Sequence, residues 1–370
     1  MDCFVTIVNC NYVGQARTLM QSLSNFYSHE QLFTLITDLK VNSEIDYLGS
    51  NFIYLKELIE IFPEIEDFSV YYDVVEFCTA LKPYVLTFLL QKGFKTATFL
   101  DPDIEVFSKL DSGVEIAESV GIAITPHRLT PAQPKSSYFN EIDFLQYGVF
   151  NLGYITVSPL AHQMLDWWRE RMQWFATRHL GSHIFTDQKW ANLIPCYFDF
   201  GVVRNKGYNV ATWNIDERDL YLNKDGILYC GEDELAFIHF SQISGQLSKG
   251  QVRKYWKRLS LVCDYFEEIQ LIDSLTEDYS RKLSANSLQV PSSQIDLELH
   301  FLSRQTSSRF RRRYISNSLS GKHEVFSPSF SRILLSHLVK KMERSNAMRS
   351  LGDGLKLDFI ALIKRLKKPD

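Results

Sequence analysis

The sequence FLDPDIEVF occupies residues 99–107, and the rest of the fold can be traced outward from it. An apolar run at residues 96–100 is followed at once by the carboxylates of Asp101 and Asp103. Pro102 between them has a fixed φ, so the triplet forms a turn and does not continue the strand. The pattern predicts a buried strand that ends in two acidic side chains.

Apolar runs alternate with helical patterns on both sides of this stretch. Strands are predicted at residues 4–8, 32–37, 96–100 and 120–124, with helices at 15–24 and 80–91. This alternation is typical of an α/β fold in which a mostly parallel sheet carries helices on both faces. Ligands bind beyond the carboxyl ends of the strands in such sheets, where Asp101 and Asp103 fall.

The second half of the chain shows other sequence patterns. Residues 146–157 predict a loop that feeds a strand, residues 159–178 predict a Trp-rich helix, and residues 284–294 are a serine-rich linker. We therefore expect a catalytic domain over residues 1–285. Its nucleotide-sugar half spans about 1–125, its acceptor half about 126–285, and a basic helical region follows at 286–370.

Composition and charge limit the function classes. With 370 residues and 45% hydrophobic content, the chain can bury a large core. The net charge of −4 conceals an asymmetry, because residues 1–300 carry 24 Lys/Arg and 39 Asp/Glu, net −15. Residues 301–370 carry 16 and 5, net +11. An acidic body with few aromatics among the tail's basic residues argues against nucleic-acid binding.

Targeting signals and cysteine patterns are missing from the sequence. The six cysteines show no C-x-x-C spacing, so neither a zinc site nor a disulfide framework is expected. The N-terminus lacks a positively charged n-region, and no window approaches roughly 18 uninterrupted apolar residues, which a membrane span would favour. We expect a cytoplasmic protein that can associate peripherally with the inner face of the membrane.

The paired carboxylates predict a cation site. Mg²⁺ and Mn²⁺ prefer oxygen ligands, and a nucleotide diphosphate sugar would add diphosphate oxygens to Asp101 and Asp103. Such a cation can neutralise the departing diphosphate. The alternative is an ordinary acidic turn after a strand.

The order of several motifs resembles the GT-A glycosyltransferases of family 8. It resembles still more closely a group of bacterial polysaccharide transferases with an N-V-A-x-W-N signature. The motifs are ALKPYVL, FLDPD, VFNLGYITV, FTDQKWANLI, GYNVATWNIDER and AFIHFSQISG, which lie between residues 80 and 245. The resemblance covers residues 1–245 and implies a GT-A fold, a nucleotide diphosphate sugar as donor and transfer with retention.

The resemblance implies a metal site of three residues. Asp101 and Asp103 would bind Mn²⁺ or Mg²⁺, His239 would complete the metal shell, and Asp101 would also contact the donor ribose. Lys82 would contact the donor. The alternatives are a structural histidine and a solvated lysine at a helix start.

The resemblance also assigns the sugar pocket. Asn151 and Gly153 would shape it, and Asp187 and Gln188 would lie against the transferred sugar. Leu152 departs from the family's small polar residue, which removes a side-chain contact. The alternative for Asp187 is capping of the helix that follows.

The remaining assignments concern the nucleotide and the loop near the metal. Asn9, Tyr12 and Asp38 follow the first two strands, where family members hold the base. Trp213 in the N-V-A-x-W-N stretch can equally be a core aromatic. Gly245 is displaced from its family position, and the lysine that usually follows is absent.

The sequence therefore predicts a metal-dependent glycosyltransferase that acts on a hydroxyl of a glycan, a lipid-linked saccharide or a protein. A sugar-nucleotide pyrophosphorylase is one rival, although its basic, glycine-rich loop is missing near the first strand. A sugar-binding scaffold is another, but it would not need the two carboxylates. The basic tail either binds an anionic membrane surface or docks on the acidic body.

Overall fold

The computed structural model describes residues 1–40, 49–69, 72–132, 141–179, 183–248, 251–252, 255–256 and 266–296. The basic tail beyond residue 296, for which a membrane role is predicted, lies outside the described residues.

Strands and helices alternate through most of the described chain. The strands are β1 Cys3–Val8, β2 Leu32–Ile36, β3 Asn51–Tyr54, β4 Ala97–Leu100, β5 Ile104–Val106, β6 Ile122–Pro126, β7 Phe150–Val157, β8 Arg178–His179, β9 Ile184–Phe185, β10 Gly201–Val202, β11 Leu220–Leu222, β12 Leu228–Cys230, β13 Asp233–Glu234 and β14 Phe237–His239. The helices are α1 Val13–Leu23, α2 Leu55–Ile61, α3 Glu64–Ser69, α4 Val74–Ala80, α5 Lys82–Gln91, α6 Asp111–Val120, α7 Glu141–Tyr147, α8 His162–Phe175, α9 Gln188–Ala191, α10 Ile194–Tyr197 and α11 Phe266–Ala285.

A seven-stranded sheet forms the centre, in the order β10-β6-β7-β4-β1-β2-β3. Its strands pair in parallel except that β7 runs antiparallel to both β4 and β6. This confirms the predicted α/β class with a mostly parallel sheet. Because β7 runs the other way, its first residues lie at the same edge as the last residues of β4 and β6.

Helices cover both faces of the sheet. Successive side chains of β1 point to opposite faces, and all of them are buried. Val5 belongs to a core that includes Leu86 of α5 and Trp168 of α8. Phe4, on the opposite face, belongs to a second core with Leu19 of α1. Both sides of the strand are buried, which explains its continuous run of apolar and β-branched residues.

A second layer forms around α11 beyond the sheet. β14 pairs antiparallel with β5, the strand that follows the acidic triplet. Phe240, next along the chain, stacks on Tyr279 of α11 with ring centroids 4.2 Å apart. This contact fixes the loop after β14 against the C-terminal part of the described chain.

Residues 286–296, which we call the strap, return from α11 to the N-terminal half. Asn286 donates to the Gln21 side chain on α1 at 2.7 Å, and the backbone N–H of Asp296 donates to the carbonyl of Asp38 at 2.8 Å. Most of the serine-rich stretch predicted as a linker is therefore packed on the first strands of the sheet.

One helical stretch of the described chain, Val74–Gln91, is long and apolar enough to cross a membrane by length and composition. It comprises α4 and α5, and 67% of it is buried inside the protein. That is the environment of a core helix, and Lys82 within it faces the site described below.

Candidate active site

Two neighbouring strands bring the acidic triplet and His239 together. His239, the last residue of β14, pairs with Ile104 of β5, and the N–H of Phe240 donates to the carbonyl of Asp103 at 2.8 Å. The imidazole Nε2 of His239 therefore lies 3.0 Å from Asp103 Oδ1 and 3.9 Å from Asp101 Oδ2. The apolar run before Asp101, which predicted a strand, and the pairing of β14 with β5 are the causes of this placement.

The three side chains have the arrangement that a divalent cation needs. One ligand atom from each of Asp101, Asp103 and His239 lies within 4.8 Å of the others. The two carboxylates are partly exposed, at 30% and 23% of their side-chain surface, so a ligand can reach them. Two carboxylates and one imidazole suit Mn²⁺ or Mg²⁺ with further oxygen ligands from solvent or substrate.

Gly153 has no side chain, and this leaves room for the side chains of the cluster. A Cβ at this position would lie 2.6 Å from His239 Cε1, 2.8 Å from Asn151 Oδ1 and 2.9 Å from Asp101 Oδ2. Its carbonyl accepts the N–H of Asp101 at 2.8 Å, so β7 holds the acidic turn directly. Any side chain at this position would fill the cradle, and the residues present fit a bound cation.

Opposite charges compensate one another across the cluster. Burial lowers the pKa of His239, but Asp103 and Asp101 more than offset it and the pKa lies above its usual value. Burial raises the pKa of Asp103, but His239 outweighs it, so the pKa lies below its usual value. Burial raises the pKa of Asp101 against the pull of Lys82 and His239. His239 and Lys82 thus partly balance the two carboxylates, and a bound cation would add to that balance.

Lys82 is the buried cation of the site. Its Nζ donates to the carbonyl of Leu152 at 2.8 Å and lies 3.1 Å from Asp187 Oδ2 and 3.4 Å from Asp101 Oδ1. Burial lowers its pKa, but the two carboxylates more than offset this and raise the pKa. The alternative of a solvated lysine at a helix start is wrong, because the residue is 5% exposed.

Asp187 is buried and oriented by a strained backbone. It precedes α9, yet its side chain makes no capping hydrogen bond, so the capping alternative is wrong. Thr186 before it has φ 47° and donates from Oγ1 to Asp187 Oδ1 at 3.1 Å. A β-branched residue in the left-handed region is strained, and such strain clusters at functional sites.

Gln188 and Asn151 extend the site along β7. Gln188 donates to the carbonyl of Tyr147 at 3.0 Å and accepts from Asn151 Nδ2 at 3.4 Å. Asn151 Oδ1 in turn accepts the N–H of Gly153 at 3.1 Å. We call Lys82, Asn151, Asp187 and Gln188 the β7 flank of the cluster.

The sequence analysis did not single out His127, which belongs beside this flank. It follows β6, and its Nε2 lies 3.4 Å from Asn151 Nδ2. Burial lowers its pKa to about 4, so the ring is neutral at physiological pH. The sequence carried only a weak signal, because the strand predicted at 120–124 ends three residues before His127 and the observed strand extends to Pro126.

Asn214 links the N-V-A-x-W-N stretch to the loop after β6 by hydrogen bonds. Asn214 Nδ2 donates to the carbonyls of His127 and Asn209, each at 2.8 Å. Trp213 places its ring edge-on to His239 and His127, at centroid distances of 5.3 and 5.5 Å. Trp213 is thus half-buried and packs beside the cluster's imidazole.

The β1 flank lies on the other side of the cluster and comprises Asn9, Asn11, Tyr12 and Asp38. Asn9 and Asp38 are 2% and 0% exposed, and their side chains accept the N–H groups of Asn11 at 3.2 Å and of Cys10 at 2.7 Å. Both residues therefore shape the turn after β1. Tyr12 is 45% exposed and open to a ligand.

No protein-family model matches the sequence, and no curated protein matches it. Among solved structures, the chain is similar to mouse xyloside xylosyltransferase 1, with a TM-score of 0.38 and 16% identity over 65% of this chain and 98% of that one. It is similar to the glycosyltransferase GlyE of Streptococcus pneumoniae TIGR4, with a TM-score of 0.41 and 15% identity over 76% and 65%. It is also similar to the galactosyltransferase LgtC, with a TM-score of 0.41 and 14% identity over 79% and 98%. Likenesses this distant carry no functional conclusion.

Proposed function

We propose that this protein is a metal-dependent glycosyltransferase of the GT-A type. It moves a sugar from a nucleotide diphosphate sugar to a hydroxyl of a glycan, a lipid-linked saccharide or a protein. One observation carries the proposal: the cluster of Asp101, Asp103 and His239 stands at the carboxyl edge of the sheet with the buried Lys82–Asp187 pair beside it.

Asp101, Asp103 and His239 would hold Mn²⁺ or Mg²⁺. The bound cation would supply electrostatic stabilisation of the negative charge on the departing diphosphate. The three protein groups leave its remaining positions to oxygens of the donor. Lys82 Nζ lies 3.4 Å from Asp101 Oδ1, and this contact would hold the Asp101 carboxylate in its orientation at the metal site.

Asp187 is the group best placed for the sugar. As the bond to the diphosphate breaks, the anomeric carbon gains positive charge, and a buried carboxylate stabilises such a centre strongly. Asp187 would act either by this stabilisation or as a nucleophile, and either role accords with retention. Lys82 holds the carboxylate in place, and Gln188 and Asn151 offer amide groups to the sugar hydroxyls.

The rival reading as a sugar-nucleotide pyrophosphorylase has no support at the β1 flank. Nucleotidyl transfer needs cations around the triphosphate near the first strand, and the side chains that follow β1 at residues 9–16 are uncharged. A scaffold without activity would not need an acidic cluster that fits a cation.

The basic tail is part of the proposal although it lies outside the described residues. With a net charge of +11 over residues 301–370, it would bind an anionic membrane surface at the inner face of the cytoplasmic membrane. The test compares co-sedimentation of the full chain and of a chain ending near residue 300 with anionic and neutral vesicles. Salt-sensitive binding limited to the full chain and anionic lipid supports this role, and equal behaviour of the two chains refutes it.

A donor screen tests the central proposal. The full chain is incubated with a panel of nucleotide diphosphate sugars, with and without manganese, and released nucleoside diphosphate is measured against a broad acceptor set. Manganese-dependent release with one donor supports a glycosyltransferase. Absence of turnover with every donor refutes the enzyme assignment.

A further inference from the structure

The amide of Asn151 is held between groups that decide which way it points. The N–H of Gly153 donates to Asn151 Oδ1 at 3.1 Å, and a backbone N–H cannot accept a hydrogen bond. The atom of Asn151 that faces Gly153 must therefore be its oxygen. The Nδ2 group points the other way, towards Gln188 Oε1 and His127 Nε2, each 3.4 Å away.

The same reasoning orients Gln188. Its Nε2 donates to the carbonyl of Tyr147 at 3.0 Å, and a carbonyl can only accept. The other end of the Gln188 amide is therefore an oxygen, which accepts one N–H of Asn151 Nδ2. Backbone groups at both ends thus give the two amides a single polarity, and the second N–H of Asn151 Nδ2 is left for His127.

His127 receives this second N–H at Nε2. Burial lowers the pKa of His127 to about 4, against the backbone of Val149, so the ring is neutral and carries one proton. A nitrogen that accepts is unprotonated, and the proton therefore lies on Nδ1, which is buried and has no hydrogen-bond partner in the described part of the chain. Contacts of 3.4 Å are long for hydrogen bonds, and such contacts often tighten when a substrate binds.

Neighbouring side chains hold the imidazole in place. Phe144 of α7 stacks on it, with ring centroids 5.3 Å apart and an interplanar angle of 20°, and Trp213 meets it edge-on at 5.5 Å. The side chain of Asn214 donates to the carbonyl of His127 at 2.8 Å. Because His127 is only 7% exposed, packing and not solvent determines how its ring is oriented.

The orientation of Asn151 matters because its oxygen borders the cradle at Gly153. A Cβ on Gly153 would lie 2.8 Å from this oxygen and 2.9 Å from Asp101 Oδ2. Both N–H groups of Asn151 are directed at Gln188 and His127, so the amide can offer only an acceptor to a ligand in the cradle. A sugar hydroxyl satisfies such an acceptor by donating to it.

We infer that His127 is a positioning residue for the transferred sugar. In its Nδ1-protonated form it accepts from Asn151 and thereby directs the Asn151 oxygen to the cradle, as an acceptor for a hydroxyl of the donor sugar. His127 would act through Asn151 and would not itself contact the sugar. The role towards the sugar rests on the proposed function, whereas the polarity of the hydrogen bonds can be tested without any substrate.

Nitrogen NMR of the imidazole rings tests the polarity. Two-bond ¹H–¹⁵N correlation spectra of the full chain with magnesium distinguish protonated from unprotonated ring nitrogens, and the signals lost in His127→Gln assign His127 among the nine histidines. We expect the proton on Nδ1. In Asn151→Asp an acceptor oxygen replaces Nδ2, so we expect Nε2 to become protonated. The signals of the exposed His162 should be the same in both proteins.

Kinetics with a rescue variant test the positioning role. UDP-glucose, UDP-galactose, UDP-N-acetylglucosamine and GDP-mannose, each with manganese, are supplied to the full chain and to His127→Phe, His127→Gln and His162→Phe. Phenylalanine keeps a ring but removes the acceptor, whereas the glutamine side chain can place an oxygen near the position of Nε2. His162→Phe, at an exposed histidine, is the matched control.

We expect kcat with the best donor to fall about 5- to 10-fold in His127→Phe, the size of one hydrogen bond. It should be largely restored in His127→Gln and unchanged in His162→Phe. Calorimetry with UDP and GDP, which lack the sugar, should give the same affinities for all four proteins.

Two results would overturn the inference and leave the proposed function intact. A proton on Nε2 in the unmodified chain, or no proton gained there in Asn151→Asp, would remove the hydrogen bond on which the inference depends. Equal kcat values in His127→Phe and His127→Gln would make His127 a packing residue only. Absence of turnover by the unmodified chain with every donor would instead refute the proposed function, and the role towards the sugar with it.

Discussion

The two flanks of the Asp101–Asp103–His239 cluster differ in charge and in packing. The β7 flank is closed around a buried ion pair between Lys82 and Asp187, and its backbone is strained at Thr186. The β1 flank holds the buried carboxylate of Asp38, which accepts the N–H of Cys10, and the exposed ring of Tyr12. The contrast separates a flank whose buried charges are paired with each other from a flank whose polar side chains bond the backbone of one turn.

Asp103→Asn gives the largest expected effect, because it breaks the centre on which both flanks depend. An amide offers less charge to a cation than a carboxylate, so we expect loss of manganese-dependent donor binding in calorimetry. The fold should survive, since the side chain is 23% exposed. Asp225→Asn, at an exposed turn, is the matched control. Donor affinity that stays unchanged in manganese would remove Asp103 from the metal site.

Asp187→Asn changes a residue of the β7 flank and should affect turnover far more than donor binding. We expect kcat to fall roughly 10²–10³-fold, because a charge that stabilises the transition state is lost. Donor affinity should change only a few-fold, since the interaction strengthens as the sugar gains positive charge. Steady-state kinetics and donor calorimetry separate the two quantities. A lower melting temperature with unchanged kcat would make Asp187 a structural residue.

His127→Gln should change the pH dependence of stability, because the β7 flank buries a neutral histidine. Its folded pKa of about 4 lies below the unfolded value near 6.5, so the unfolded chain binds more protons between these pH values. Stability is full above pH ~6.5 and falls as the pH drops towards ~4, by on the order of 3 kcal/mol.

Urea unfolding at pH 7 and pH 4.5 measures this effect. The His127→Gln variant should lose less stability over the interval than the unmodified chain does. His162→Gln, at an exposed histidine, is the control. Parallel losses in all three proteins would show that His127 is solvated, contrary to its burial.

The sequence predicted the parts of this comparison that depend on local pattern. The apolar run before Asp101 became β4, because a short apolar run and its polar end are properties of neighbours in the chain. The side chains of Asn9 and Asp38 also accept N–H groups of the turn after β1, which the sequence pattern did not indicate. Strand-end position alone does not reveal which way a polar side chain turns.

Other features depended on contacts between distant residues. The antiparallel direction of β7 follows from its pairing with β4 and β6, which no local pattern encodes. β10 has only two residues, too short for a periodic signal. Asn286 bonds to Thr18 of α1, and nothing in either stretch indicates the other.

The strap has a consequence for how the chain is made. Asn286 and Thr18, which bond to each other, are separated by 268 residues, so the ribosome finishes α1 roughly 15–50 s before its cover emerges. During that time Val13 and Ala16, which end fully buried beside Val290 of the strap, lack this partner. The nascent N-terminal half therefore exposes this apolar surface while 268 further residues are made, and chaperones can bind there during that time.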